Sequence, residues 1–446
     1  MSAVAVTTKA PADARRKANS ELALLILALL ITVGAYALVG LATTGVVPGG
    51  LAAYGGAMAA LGAAAHLASR RLASGADPVL LPLAFLLNGL GLVMVRRLDF
   101  AEQTSQAPAQ TIWTVVAIVV FILTLAVVRD HRILDNYRYI VGIGALAFLL
   151  MPLLPGIGKE VNGARIWIGL GGLSFQPGEV AKLGLVIFFA SYLAEKRALL
   201  TVATNRLGPL MVPPARAFGP ILAVWGLSLS VLVFQKDLGL SLLVFGIFVA
   251  MLYVATARLT YVLLSLALFG VGAFAAWTVF SHVQSRILTW LDPWSVYEDA
   301  GYQVAQSLFA MATGGIFGVG LGQGRPDIIP EVNTDFIFAA FGEEIGLLGT
   351  TALLLCFFLF VGRGFSVATR SPDDFGQLLA AGLTFLFGLQ VFVILGGVTQ
   401  LLPLTGVTLP FMSYGGSSLL ANYALVALLL RVSASSSSTS AGRATP

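Results

Sequence analysis

The most chemically loaded stretch of the chain is Ile329-Pro330-Glu331-Val332-Asn333-Thr334-Asp335-Phe336-Ile337-Phe338, followed by Gly342-Glu343-Glu344-Ile345-Gly346. It sets one carboxylate, Asp335, at the mouth of an apolar run, and an ionisable group at a bilayer boundary is costly to keep. Its residue type fits two roles. It can take a proton from a reacting hydroxyl, or it can cap the helix that begins at the apolar run. Glu343 and Glu344 follow eight and nine residues later, about 12 to 13 Å deeper on a continuous helix, which fits hydrogen bonding inside a bundle rather than a shared proton transfer. Arg165 stands between two apolar runs and carries a planar fork of donors suited to phosphate oxygens, although an arginine in a loop is commonly just solvated. Glu179 and Lys182 are spaced i, i+3 and can meet on one helix face as a buried pair. Gln235 and Asp237 sit at the single polar break, Gln235-Lys236-Asp237, in a long apolar stretch. Such a break is tolerated only where protein or water covers the backbone. Gly415-Gly416-Ser417-Ser418 has the small residues that let helices approach closely.

These groups have to be positioned by membrane spans. Of 446 residues, 58% are hydrophobic and 11% charged, a composition that a water-soluble globule of this size could not accommodate. The formal charge of +5 comes from 26 basic and 21 acidic residues. The basic ones are spread over loops, which argues against nucleic acid. Arg15, Arg16 and Lys17 precede an uncharged run from Leu22 to Thr44, too long for a signal-peptide core and read as a retained first helix. With about 20 residues needed per crossing, twelve spans are expected, near 22–44, 51–69, 78–95, 111–128, 139–157, 177–194, 217–234, 238–256, 259–281, 336–361, 376–398 and 410–430. The expected fold is therefore an all-α polytopic bundle with a long loop over 282–334 and a Ser-rich, structureless tail over 433–446. With a cytoplasmic N-terminus, eighteen of the 26 basic residues fall on the cytoplasmic side and seven on the other, with Lys182 inside a span. This bias puts both termini inside, and Arg165, the 235–237 break and the 282–334 loop outside. Cys356, the one cysteine, is read as packing. No P-loop, H-E-x-x-H or dinucleotide G-x-G-x-x-G is present, so ATP-driven transport and zinc hydrolysis are not expected.

Several separated motifs over 78–432 resemble the SEDS family (RodA/FtsW). Asn162-Gly163-Ala164-Arg165-Ile166-Trp167 is similar to its G-A-x-x-W segment. Gln176-Pro177-Gly178-Glu179-Val180-Ala181-Lys182 is similar to Q-P-S-E-x-x-K, with Gly178 for Ser. Gln235-Lys236-Asp237-Leu238-Gly239 resembles Q-x-D-x-G, and Trp290-Leu291-Asp292-Pro293 with Gly301-Tyr302-Gln303 resembles the start of the large external loop. Pro330 to Phe338 matches P-E-x-H-T-D-F-I-F with Asn333 in place of His, and the stretch from Pro403 to Ser418, including Ser413, is the most recognisable signature.

The resemblance implies a peptidoglycan polymerase, an inverting glycosyltransferase on the outer face of the bacterial cytoplasmic membrane. It would join lipid-linked disaccharide units (lipid II) and release undecaprenyl diphosphate, with Asp335 as general base. Arg165, Lys182, Gln235, Asp237, Glu179 and Ser413 would be substrate-binding. Because diphosphate leaves readily, one base plus cationic stabilisation suffices. No protein metal site is expected, though a divalent cation, Mg or Mn, fits at the substrate diphosphate. The implied partner is a class B penicillin-binding protein supplying transpeptidation. An elongation (cell shape) role is slightly preferred to division on the short tails. The family core has ten spans, which leaves 21–71 as an added N-terminal hairpin after a 1–20 tail. The competing reading is a lipid II flippase or other secondary transporter.

Overall fold

The computed structural model describes residues 9–161, 164–170, 173–201, 205–207, 210–212 and 215–443. Its helices are α1 Lys9–Thr44, α2 Leu51–Leu72, α3 Leu80–Glu102, α4 Ala107–Val127, α5 Arg132–Asn136, α6 Arg138–Leu150, α7 Pro177–Thr201, α8 Ala215–Phe234, α9 Leu238–Thr256, α10 Leu259–Val279, α11 Ser281–Leu291, α12 Tyr302–Gly314, α13 Ile337–Arg370, α14 Asp374–Val398 and α15 Gly416–Arg443. Among the described residues nine of these are long and apolar enough to cross a membrane: α1 to α4, α9, α10 and α13 to α15. Helices α6, α7 and α8 stand at the other three expected positions.

The polytopic helical bundle is as expected, with two local differences. The loop carrying Arg165 is a small antiparallel sheet of β1 Gly158–Val161, β2 Ala164–Leu170 and β3 Leu173–Phe175 in the order β1-β2-β3, and β4 Asn205–Leu207 pairs with β5 Leu210–Val212. Ile166, Trp167 and Ile168 are the β-branched and aromatic residue types that favour strands. At the other end, α15 stays helical through Arg443, where a structureless tail was expected. A helix already nucleated in a buried span extends one residue at a time at little cost, and serine is no breaker.

The interior is built from α7, α9, α13, α14 and α15, whose Phe188, Phe189, Leu243, Phe360, Phe387 and Leu429 are buried. By contrast α10 presents Leu263, Leu268, Val271 and Phe274 outward, the pattern of a lipid-facing span, where exposed apolar surface costs nothing. The α1–α2 hairpin is integral to the bundle. Thr32 of α1 packs so closely on α3 that a Cβ at Gly89 would lie 2.4 Å from its methyl carbon. Tyr36 and Tyr54 stack at 4.4 Å, and the Tyr54 hydroxyl donates to the Gly89 carbonyl at 3.2 Å. Near the other end of the hairpin, Glu21 meets His66 Nδ1 at 2.6 Å and accepts from Ser69 at 3.2 Å.

Helix α13 is interrupted at Gly346 (φ 65°, ψ −170°). The backbone groups freed there bond to the segment after α12. Val319 and Gly320 donate to the carbonyls of Glu343 and Glu344 at 3.0 and 2.9 Å, while Leu347 and Leu348 donate to the carbonyls of Gly315 and Ile316 at 2.9 and 3.0 Å. Only glycine permits this approach, since a Cβ on Gly346 would sit 2.2 Å from the Gly318 nitrogen. Glu344 pairs with Arg97 at 3.0 Å and accepts from Gly322 N at 2.8 Å; Arg97 also donates to Gly324 O at 2.8 Å. Glu343 accepts from Arg325 N at 2.9 Å. Both glutamates thus have the bundle-bonding role expected of them, and through it they hold the chain that leads to Asp335.

Candidate active site

The turn that carries Asp335 is gripped from the loop between α14 and α15. Thr334 N and Asp335 N donate to Glu331 O at 3.2 and 3.3 Å, which closes the turn. Ser413 Oγ donates to Thr334 O at 2.5 Å and accepts from Leu409 N at 2.8 Å, while Tyr414 N donates to Asn333 O at 2.7 Å. Two glutamines at the start of α4 complete the clamp. Asn333 Nδ2 donates to Gln106 Oε1 at 2.5 Å, and Gln110 Nε2 to Ser413 O at 3.2 Å. Asn333 is thus a pin for the turn.

Asp335 does not cap α13. The N-cap residue is Phe336 and no side-chain cap bond is made, so the carboxylate is left for something else. Across Gly406 (φ 74°) it faces Arg286 of α11: a Cβ at Gly406 would lie 3.7 Å from both Asp335 Oδ2 and a guanidinium nitrogen of Arg286. Arg286 is itself anchored, donating to Leu404 O at 2.8 Å, and forms no direct ion pair with Asp335 among the described residues. Burial pushes the Asp335 carboxyl up to about 7; Arg286 and a Thr334 hydrogen bond work against that, and Glu331 adds to it. Burial likewise lowers the pKa of Arg286, with Asp335 and Asp237 opposing. A carboxyl poised near neutrality beside a fixed cation has the properties of a general base next to an anion-binding group.

The remaining expected residues fall around this pair in different ways. Asp237 caps α9, accepting from Leu240 N at 2.9 Å, and its pKa is raised by burial and by Glu179, with Arg286 and Lys182 opposing. Helix α9 starts against the same loop, since a Cβ on Gly239 would lie 2.9 Å from Thr405 O. Lys182, only 1% exposed, bonds Glu179 and Gln390 Oε1 at 2.7 Å each, and Gln390 donates to Thr408 O at 2.8 Å. With its donors so engaged and the side chain sealed, Lys182 acts here as an internal strut. Gln235 is buried and donates to Leu149 O, tying the break to α6. Arg165 stays within its own sheet region, its described contact being Leu154 O at 3.5 Å, so it is not part of the Asp335 cluster; Asn162 and Gly163 of its motif lie outside the described residues. Ser413 positions the turn by the bonds given above.

Sequence reasoning misses Arg286, Gly406, Gln106 and Gln110. Arg286 counts there only as one of seven external basic residues, and its partner carbonyl is 118 residues away. Among the described residues no group of three His, Cys, Asp or Glu side chains could hold a metal ion. Asp335 faces Arg286 with no direct ion pair among the described residues, and Glu179 is bonded to Lys182.

A model of the FtsW/RodA/SpoVE family, described as "Cell cycle protein", matches residues 78–438. The chain belongs to the FtsW/RodA/SpoVE family. Similar proteins include "Peptidoglycan glycosyltransferase RodA" of Mycobacterium tuberculosis, 48% identical over 96% of this chain and 92% of that protein. "Stage V sporulation protein E" of Bacillus subtilis is 34% identical over 80% of this chain and 96% of its own length. A solved structure described as "Structural coordination of polymerization and crosslinking by a peptidoglycan synthase complex" contains a chain with TM-score 0.64 and 29% identity, covering 80% of this chain and 97% of that one. The FtsW/RodA/SpoVE segment includes every residue of the Asp335 cluster, and the α1–α2 hairpin lies ahead of it. The RodA relative covers 96% of the chain, so its match reaches into that hairpin.

Proposed function

We propose that this chain is a peptidoglycan glycosyltransferase that polymerises glycan strands from lipid II. The observation that carries the reading is Asp335, an uncapped carboxylate raised to about 7 at the mouth of α13, facing Arg286 across Gly406. Asp335 takes the proton of the acceptor sugar's hydroxyl as that oxygen attacks the anomeric carbon of the lipid-anchored strand. The electron pair of the broken anomeric C–O bond leaves on undecaprenyl diphosphate, and the configuration inverts. Arg286 offers a fixed cation to the departing diphosphate, worth most where water is excluded. Any divalent cation would be carried in by the diphosphate, and no step depends on the protein holding it.

The names of the relatives support this reading: RodA at 48% identity, and FtsW of a Geobacter species at 35% over 81% of this chain. The larger identity favours an elongation role over a division role. The peptidoglycan synthase complex among the structural relatives supports a class B penicillin-binding protein as partner. The loop charges support placement in the cytoplasmic membrane with both termini inside and Asp335 outside. A transporter would use paired helix breaks to line a central site. The chain has breaks at 235–237 and at Gly346, but the second is sealed by the 315–320 segment and the Arg97–Glu344 pair, which leaves the enzyme as the better reading.

The test is purified chain with lipid II and a gel of the glycan products. Asp335→Asn keeps the size of the side chain but cannot accept the proton, and should lower polymerisation by roughly 10² to 10⁴-fold while inserting normally. Wild-type rates from that variant, or lipid II translocation by proteoliposomes without any glycan, would sink the assignment.

A further inference from the structure

Helix α11 links the Asp335 cluster to a second feature outside it. Arg286 lies in its middle, Trp290 Nε1 donates to Gln400 O at 3.0 Å, Gln400 Nε2 returns a bond to Trp290 O at 2.9 Å, and the helix ends at Leu291. The chain then turns sharply. Ser295 N donates to Asp292 Oδ1 at 3.2 Å, Gly301 N to Val296 O at 2.9 Å, and a Cβ on Gly301 would lie 2.1 Å from Pro293 O. This turn and α12 enclose an open cleft of about 720 Å³ whose walls include Trp294, Tyr297, Glu298, Asp299 and Phe309.

The cleft pairs aromatic faces with hydrogen-bond acceptors. Trp294 and Phe309 are 53% and 49% exposed, with ring centroids 5.6 Å apart. Tyr297 is fixed behind them by Gln306, which donates to its hydroxyl at 3.0 Å, and by Tyr302 edge-on at 5.5 Å. Glu298 and Asp299 are exposed beside them and enter no ion pair among the described residues. Exposed aromatic faces offer π-density to the C–H faces of pyranose rings, and ionised carboxylates accept bonds from ring hydroxyls. Two carboxylates at the rim are also wrong for an anionic lipid surface. From Arg286 to Trp294 is five helical residues and three turn residues, roughly 10 to 18 Å, the reach of a few linked sugar rings.

We propose that this cleft is a saccharide subsite that holds the glycan strand a few rings away from the reacting bond, with Trp294 as its principal platform. The inference rests on the polymerase reading for its ligand class. Holding the strand there keeps the next reaction intramolecular, so occupancy raises the number of additions before release.

The test uses the full detergent-solubilised chain and a labelled, soluble oligosaccharide of alternating β-1,4-linked N-acetylglucosamine and N-acetylmuramic acid, which lacks diphosphate and cannot react. Trp294→Ala should weaken its binding roughly three- to ten-fold, the value of an aromatic contact, and Trp294→Phe should recover most of it. At matched lipid II consumption, Trp294→Ala should give shorter strands. Unchanged binding, or a Phe variant as weak as Ala, overturns the proposal. So does an Ala effect confined to vesicles of phosphatidylglycerol or to co-purification of a transpeptidase. The binding arm needs no catalysis: a chain that makes no glycan would fail the polymerase reading while the oligosaccharide measurement still decided the cleft.

Discussion

Replacing Arg286 with Gln separates its electrostatic role from mere packing. In the native site its charge favours ionised Asp335, so its loss should raise the Asp335 pKa further above about 7 and move the alkaline-going rise of polymerisation to higher pH. The two groups flank Gly406 without touching, each 3.7 Å from its missing Cβ. A unit charge about 6 Å away at an effective dielectric of ~20 is worth roughly 3 kcal/mol, or about two pH units. Asp335 is partly exposed, so solvent and ordinary salt screen part of this, which leaves an expected displacement of about one pH unit. The assay is the initial rate of lipid II consumption from about pH 5.5 to 9, for wild type and Arg286→Gln. The wild-type rate should climb through about 7 and level off. The plateau of the variant should also be lower, because the diphosphate has lost its fixed cation, by roughly 10 to 10³-fold. A wild-type profile that is flat through neutrality would refute the argument, as would a variant limb that stays in place or moves to lower pH.

Other measurements probe the supports of the site. Lys182→Met should strand the Glu179 carboxylate in the interior and cut the yield of folded protein severely, whereas Glu179→Gln with Lys182→Met should recover much of it; comparable yields for single and double variants would contradict the strut. Asp335 has its folded pKa raised by burial, so ionisation opposes folding: the cost is absent below about pH 4, grows as pH rises, and is complete above about 7. Asp335→Asn should accordingly melt above wild type by a margin that widens between pH 4 and 7 and then holds, and a constant margin would argue against the raised carboxyl. For topology, Ser295→Cys in a Cys356→Ala background should react with an impermeant thiol reagent on intact cells; reaction only after lysis would put the 282–334 loop on the wrong side.

Much of this architecture is legible as apolar runs. Twelve of them bounded by charge or glycine mark the positions of α1 to α4, α6 to α10 and α13 to α15, because bilayer thickness demands a length that few other structures need. Asp335 is legible too, since a lone carboxylate ahead of Phe336 has to be explained. What distinguishes base from cap is the geometry at Phe336, which no residue type announces. Arg286 stays hidden because its meaning comes from a contact with Leu404, 118 residues away. The opposite happens with Arg165, whose motif is clear but whose described contact stays within its own region. The Gly346 interruption is also out of reach: a glycine in an apolar run is ordinary, and only the 315–320 backbone alongside makes its positive φ a requirement.

The grip of Ser413 and Tyr414 on the Asp335 turn bears on how the protein is made. The carboxylate leaves the ribosome long before residues 409–415, so a nascent chain already carries Asp335 without the loop that orients it. The turn is complete only with α15, whose preceding loop comes back across 79 residues of sequence to close on Thr334. If the proposed function holds, a chain arrested or clipped before that point should lack the ordered Asp335 turn and make no glycan, so the order of synthesis would itself withhold activity from unfinished copies.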